Sequence, residues 1–129
     1  MNRWTVAAVI SFILLALTIR IPSAAAELKP LMAGWERYFT VTWEPAESKG
    51  KRVLKGYVVN TSSYDVHSVR ILVETLDAAG ATTSQNVAWV PGTMNGATRL
   101  FFEVPVAPAP TYRVRVFDYE RLELPSIIR

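Results

Sequence analysis

The sequence has no cysteine and only one histidine, His67, in 129 residues. The first absence excludes disulfides and a lipid-modified N-terminal cysteine. The second leaves zinc or copper to be held almost wholly by carboxylates. Calcium fares no better, because no D-x-D-x-D-G loop is built around Asp65, Asp77 or Asp118. Nucleophilic catalysis lacks its frame as well. Ser62, Ser63 and Ser68 surround His67 with Asp65 nearby, but neighbours on one short stretch cannot easily aim three side chains and an oxyanion hole at one atom. No G-x-S-x-G elbow is present. Glu120 and Glu123 flank Arg121 as a solvated edge rather than a fixed carboxylate pair in a cleft. The expectation is a protein without catalytic residues, metal or cofactor, with His67 exposed on a loop.

A long uninterrupted hydrophobic run is also missing. Trp4–Ile19 has 16 uncharged residues before Arg20, against about 20 for a spanning helix. Met1-Asn2-Arg3 precedes this run, and Pro22 and Ala24-Ala25-Ala26 follow it. That order of charge, apolar stretch and small residues is a secretory signal, residues 1–26, cut after Ala26. The alternative is an uncleaved inner-membrane anchor over residues 4–19. No Arg-Arg pair marks a twin-arginine route. Without Arg3 and Arg20, 12 of the 14 basic residues face 11 acidic ones. A balance of +1, with no basic run beyond Lys49–Arg52, excludes nucleic acid as a partner. Residues 27–129 form one extracytoplasmic domain, periplasmic or secreted, that must be held by its apolar core alone.

What is present is alternation. Val53–Gly80 carries two apolar runs of period two, joined by the polar Thr61–Val66. Strands are predicted at Tyr38–Trp43, Val53–Asn60, Ser68–Leu76, Thr83–Val90, Thr98–Val104 and Tyr112–Tyr119. Pro45 stops the first, and Ala46–Arg52 connects it to the second. Gly56 marks a bulge or a close backbone approach. Asp77-Ala78-Ala79-Gly80 suits a type I hairpin turn, Pro91-Gly92 a type II turn and Asn95-Gly96 a turn with positive φ. Pro105–Pro110 is an extended crossing between sheets. After the signal helix the fold class is therefore all-β, an immunoglobulin-like two-sheet β-sandwich of six or seven strands. Val69, Ile71 and Val73 face its core, and Arg70, Leu72 and Glu74 lie opposite.

The aromatic residues exceed what one small core needs. Phe101 and Phe102 are adjacent and must point to opposite faces. On the last strand Arg113, Arg115, Phe117 and Tyr119 share outward parity, a mixed arginine and aromatic composition that is enriched at protein interfaces. Phe101, Arg113, Arg115, Phe117 and Tyr119 are the candidate partner-binding face. Asn60-Thr61-Ser62 reads formally as a glycosylation acceptor.

Gly56-x-Val58-x-Asn60 with Thr61-Ser62, then Val69-x-Ile71-x-Val73 and Asp77-x-x-Gly80, resembles the FxLYD-type domains. These are small immunoglobulin-like modules of exported prokaryotic proteins. The likeness runs from Val53 to about Tyr119 and implies an extracytoplasmic accessory module with no catalytic site to carry over. The combined expectation is an exported, non-catalytic module that acts by contact with another envelope protein or with itself, as a small subunit or assembly factor. An exposed apolar face and edge-strand pairing are its means. The alternative is a module for cell-envelope polysaccharide.

Overall fold

The computed structural model describes residues 27–122. The expected signal segment, the anchor alternative and the tail from Glu123 lie outside the described residues. A 3-10 turn at Trp35–Arg37 precedes six strands: β1 (Phe39–Ser48), β2 (Lys51–Asn60), β3 (Asp65–Leu76), β4 (Thr82–Val90), β5 (Arg99–Pro105) and β6 (Thr111–Leu122). They form two antiparallel three-stranded sheets, ordered β1-β2-β5 and β4-β3-β6. This is the two-sheet β-sandwich that the alternation predicts. Among the described residues no helix is long and apolar enough to cross a membrane.

The inner faces interdigitate as sandwich cores do. Leu54, Val58, Phe102 and Val104 from one sheet meet Val69, Ile71, Val73, Val114 and Val116 from the other, and all are buried. Phe102 is 2 % exposed and its neighbour Phe101 48 %, the opposition that adjacent strand positions require. The central strand β3 is buried on both faces, since Leu72 and Glu74 on its outer side are also fully covered.

Several boundaries differ from expectation: β3 already starts at Asp65, inside the expected loop, and β6 runs on to Leu122. Pro45 lies inside β1, opposite Leu54, instead of ending it. The strand has no neighbour on its other side in the sheet, and an edge position tolerates a residue without an N–H. The connection Ala46–Arg52 shrinks to Lys49-Gly50, because Ser48 pairs with Lys51. Lys49 and Gly50 have φ of 52° and 77°, the pair of positive values that a type I′ hairpin turn demands.

The remaining turns are fixed by side chains. Asp77 Oδ1 accepts the Ala79 and Ala81 N–H groups at 2.9 Å, and Gly80 N–H donates to the Asp77 carbonyl. Positive φ in the next loop falls on Gly92 and on Ala97, not on Gly96. Gly96 serves packing instead, since a Cβ there would come within 2.9 Å of the Ser62 carbonyl oxygen. Asn60, wholly buried, ties that loop together. Its Nδ2 donates to the carbonyls of Tyr64 (2.6 Å) and Asn95 (3.2 Å), and its Oδ1 accepts from the N–H and hydroxyl of Ser62. An amide so enclosed is closed to glycosylation in the folded chain. After the Pro105–Pro110 crossing, the Tyr112 hydroxyl donates back to the Ala107 carbonyl at 2.6 Å. The tyrosine corner of immunoglobulin-like sandwiches uses the same device.

Gly56 decides between the two sequence readings. Its register with Trp43 and Phe102 is regular, so there is no bulge. A Cβ would stand 1.8 Å from the Thr42 carbonyl oxygen and 2.9 Å from Phe102 Cζ. Gly56→Ala therefore must push β1 away from β2. Its expected cost is about 2–3 kcal/mol, read as a lowered urea midpoint with an unchanged slope. An unchanged midpoint would show that the strands part freely there.

Candidate protein-interaction faces

The five residues expected to form one face are divided among three environments. For Tyr119 the cause is a bulge in β6. Arg70 stands opposite Asp118 and the next residue, Ile71, opposite Val116, so Phe117 has no counterpart on β3. One extra residue turns the remainder of the strand over. Tyr119 is thereby placed in the core, with its ring 4.7 Å from that of Phe39. Burial pushes its hydroxyl pKa up, and the nearby Arg121 charge opposes that rise. Phe117 stays on the outer side but is only 7 % exposed. The Arg70 guanidinium sits 5.2 Å from its ring centre and 5.2 Å from that of Trp89. Asp118 binds the same guanidinium, with Arg70 Nε donating to Oδ1 at 2.8 Å. The shared outward parity of Tyr119 and Phe117 is thus corrected, and neither forms part of an open surface.

Arg113 and Arg115 do lie on the outer face of the β4-β3-β6 sheet, but they converge on Glu74. Arg113 Nε and Nη2 donate to the two carboxylate oxygens at 2.9 Å. Arg115 Nε reaches Oε1 at 3.0 Å, and Gln85 Nε2 reaches Oε2 at 3.0 Å. Burial pushes the Glu74 carboxyl pKa up. The hydrogen bonds from Arg113, Gln85 and Arg115, with the Arg115 charge, outweigh it and hold the group below its ordinary value. The chain's own lead-in then crosses this face. Leu28 exchanges two hydrogen bonds with the Gln85 side chain (2.8 and 2.9 Å), and Leu31 N–H donates to the Phe117 carbonyl at 2.9 Å.

Phe101 belongs to the other sheet. It stands on the outer face of β1-β2-β5, 5.6 Å from Tyr57 in an edge-to-face arrangement. Arg99 stacks over the Tyr57 ring, 4.2 Å from its centre, and Lys55 and Glu103 approach to 3.9 Å beside it. Thr42, Glu44, Lys55, Tyr57 and Phe101 border a shallow depression of about 310 Å³. Sequence reasoning named Phe101 and missed Arg99 and Tyr57. The cross-strand register that joins Tyr57 to Phe101 and Val59 to Arg99 appears only once β2 and β5 are paired.

His67 is on β3, half-buried, rather than on a loop. Its Nδ1 is 2.9 Å from the Ser68 hydroxyl and its Nε2 3.3 Å from a Glu120 oxygen. Ser68 has φ of 53° at an irregularity in the β3–β6 register, and the imidazole braces that kink. The acidic residues that a calcium site would need have other tasks. Asp65 accepts the Gly96 N–H at 3.1 Å, Asp77 holds its turn and Asp118 binds Arg70. Among the described residues no group of three or more His, Cys, Asp or Glu side chains could hold a metal ion.

The Glu74 cluster gives stability a definite pH dependence. Its carboxyl is depressed in the folded state, so its contribution is complete above the ordinary glutamate value of about 4.3. It is lost as pH falls through the lower folded value. Urea midpoints of the wild type should drop between about pH 5 and pH 3, and those of Glu74→Gln should drop less. At neutral pH the same substitution should cost about 2–3 kcal/mol, because two arginines lose their shared counter-charge. Parallel pH curves for both proteins would remove Glu74 from this role.

No protein-family model matches the chain, and neither curated proteins nor solved structures yield a match.

Proposed function

We propose that this chain is an exported, non-catalytic β-sandwich module that works by protein–protein contact, as a small subunit or assembly factor of a cell-envelope complex. The observation that carries this reading is the outer face of β1-β2-β5. There Arg99 stacks on Tyr57 and Tyr57 meets Phe101 edge to face, with Phe101 nearly half exposed. Thr42, Glu44, Lys55 and Glu103 lie around them. An aromatic and arginine centre inside a rim of polar and charged groups is the composition of a binding hot spot. On the opposite outer face the arginines are tied to Glu74 and Asp118 and the lead-in crosses the centre, so the exposed Trp89 stands at the β4 margin. The signal-like residues 1–26 and the resemblance to FxLYD-type modules support export and an accessory role.

The test is to cross-link the envelope fraction of cells carrying the tagged chain, comparing wild type with Phe101→Ser and Arg99→Glu. Both side chains are exposed, so the melting temperature should stay within a few degrees of wild type. A stoichiometric protein partner captured by the wild type should fall at least about tenfold in both variants, as loss of one hot-spot side chain implies. Retention on envelope glycan with no captured protein would defeat the proposal and favour the polysaccharide reading, with Phe101 and Tyr57 as its stacking surfaces.

A further inference from the structure

Each sandwich of this kind leaves four strand edges with free N–H and C=O groups, and three of them are guarded here. β1 carries Pro45, Glu44 and Glu47. β5 is seven residues long and includes Arg99, Glu103 and Pro105. β6 is bulged at Phe117, where Leu31 N–H covers a carbonyl, and the Trp43 indole N–H covers the Tyr112 carbonyl at 3.2 Å. Prolines, charges, bulges and covering groups are the devices that keep sheet edges from pairing. β4 has only an irregularity at Thr83, near its start, and from Ser84 to Val90 its register with β3 is regular. Its nine residues, Thr82–Val90, include neither a charge nor a proline. No backbone hydrogen bond joins its outer edge to another described segment.

From this contrast we infer that β4 pairs with β4 of a second copy, antiparallel across a two-fold axis at Val87. The inference goes beyond the proposed function, because it concerns the other sheet. Gln85, Val87 and Trp89 lie beside Glu74, Leu72 and Arg70 on the outer face, and this stripe is complementary to itself. With Val87 on the axis, Val87 meets its own copy, and each Trp89 meets the opposite Gln85 and the Leu28 docked on it. Trp89 is 64 % exposed and Leu28 41 %, so the pairing covers two apolar side chains at each end of the stripe. The neutral strand places no like charges opposite one another. The product is a continuous six-stranded sheet running through both copies, with both Phe101 faces left open.

The full chain, purified in the form its host leaves, is followed by sedimentation over about a hundredfold range of concentration. The wild type should pass from monomer to dimer. Val87→Lys and Val87→Glu should each stay monomeric at every concentration, with wild-type circular dichroism. Their equimolar mixture should regain the dimer, because opposite charges then face each other across the axis. A wild type that is monomeric throughout overturns the inference without reference to any variant. Dimers of both single variants, or a mixture that stays monomeric, overturn it equally. The measurement uses pure protein, so its outcome is independent of whether Phe101 captures an envelope partner.

Discussion

Everything in the β4-β3-β6 sheet depends on one buried carboxylate. Glu74 sits fully covered near the end of the central strand, and an unpaired charge there would be strongly destabilising. It is tolerated because Arg113 and Arg115 from β6 and Gln85 from β4 all donate to it. Those bonds reach both neighbours of β3 at once, so the ion cluster also fixes the order and register of the sheet. Gln85 carries the restraint outwards, since the same amide holds Leu28. A hydrophobic residue of similar volume would pack on this outer face without selecting any particular neighbours. The carboxylate selects them.

Much of this architecture was legible in the chain. Val69, Ile71 and Val73 alternate with Arg70, Leu72 and Glu74, and that period alone placed β3 and its core side. Asp77 and Gly80 gave the hairpin, and the Phe101-Phe102 pair gave one buried and one exposed ring. The errors arise where a single residue breaks the period. Phe117 is inserted into β6 opposite nothing, and no local feature of Val116-Phe117-Asp118 separates a bulge from a regular strand. Every assignment beyond it was therefore inverted, which sent Tyr119 to the surface on paper and into the core in the fold. Pro45 failed as a stop signal for a different reason. Proline ends a strand only where its nitrogen is needed for pairing, and edge position is a property of the assembled sheet. The opposite charges of Glu74 and of Arg113 and Arg115, all on outward parity, were a signal for the ion cluster that alternation by itself does not weigh.

The two outer faces have come to differ in kind. On β4-β3-β6 the long polar side chains point at one another, and the lead-in residues lie over them. On β1-β2-β5 the polar groups form only the exposed Lys55–Glu103 pair, while the aromatic and cationic side chains remain stacked and accessible. This asymmetry separates a face whose centre holds the fold together from one whose centre stays open, with Trp89 left exposed at the β4 margin of the first. It rests on ordinary alternation, so a change on one face need not disturb the other.

The long reach of the β3–β6 pairing also sets the order of assembly. Glu74 and Arg115 are separated by 41 positions in sequence, and β4 and β5 are made between them. Contacts of such separation close slowly, because the intervening chain must first surrender its freedom. β1 with β2, and β3 with β4, can zip as local hairpins early in synthesis. The central strand, apolar on one side and carrying Leu72 and Glu74 on the other, then waits without its second neighbour until β6 emerges. During that interval it is the described segment most open to aggregation, and the arrival of β6 ends the exposure.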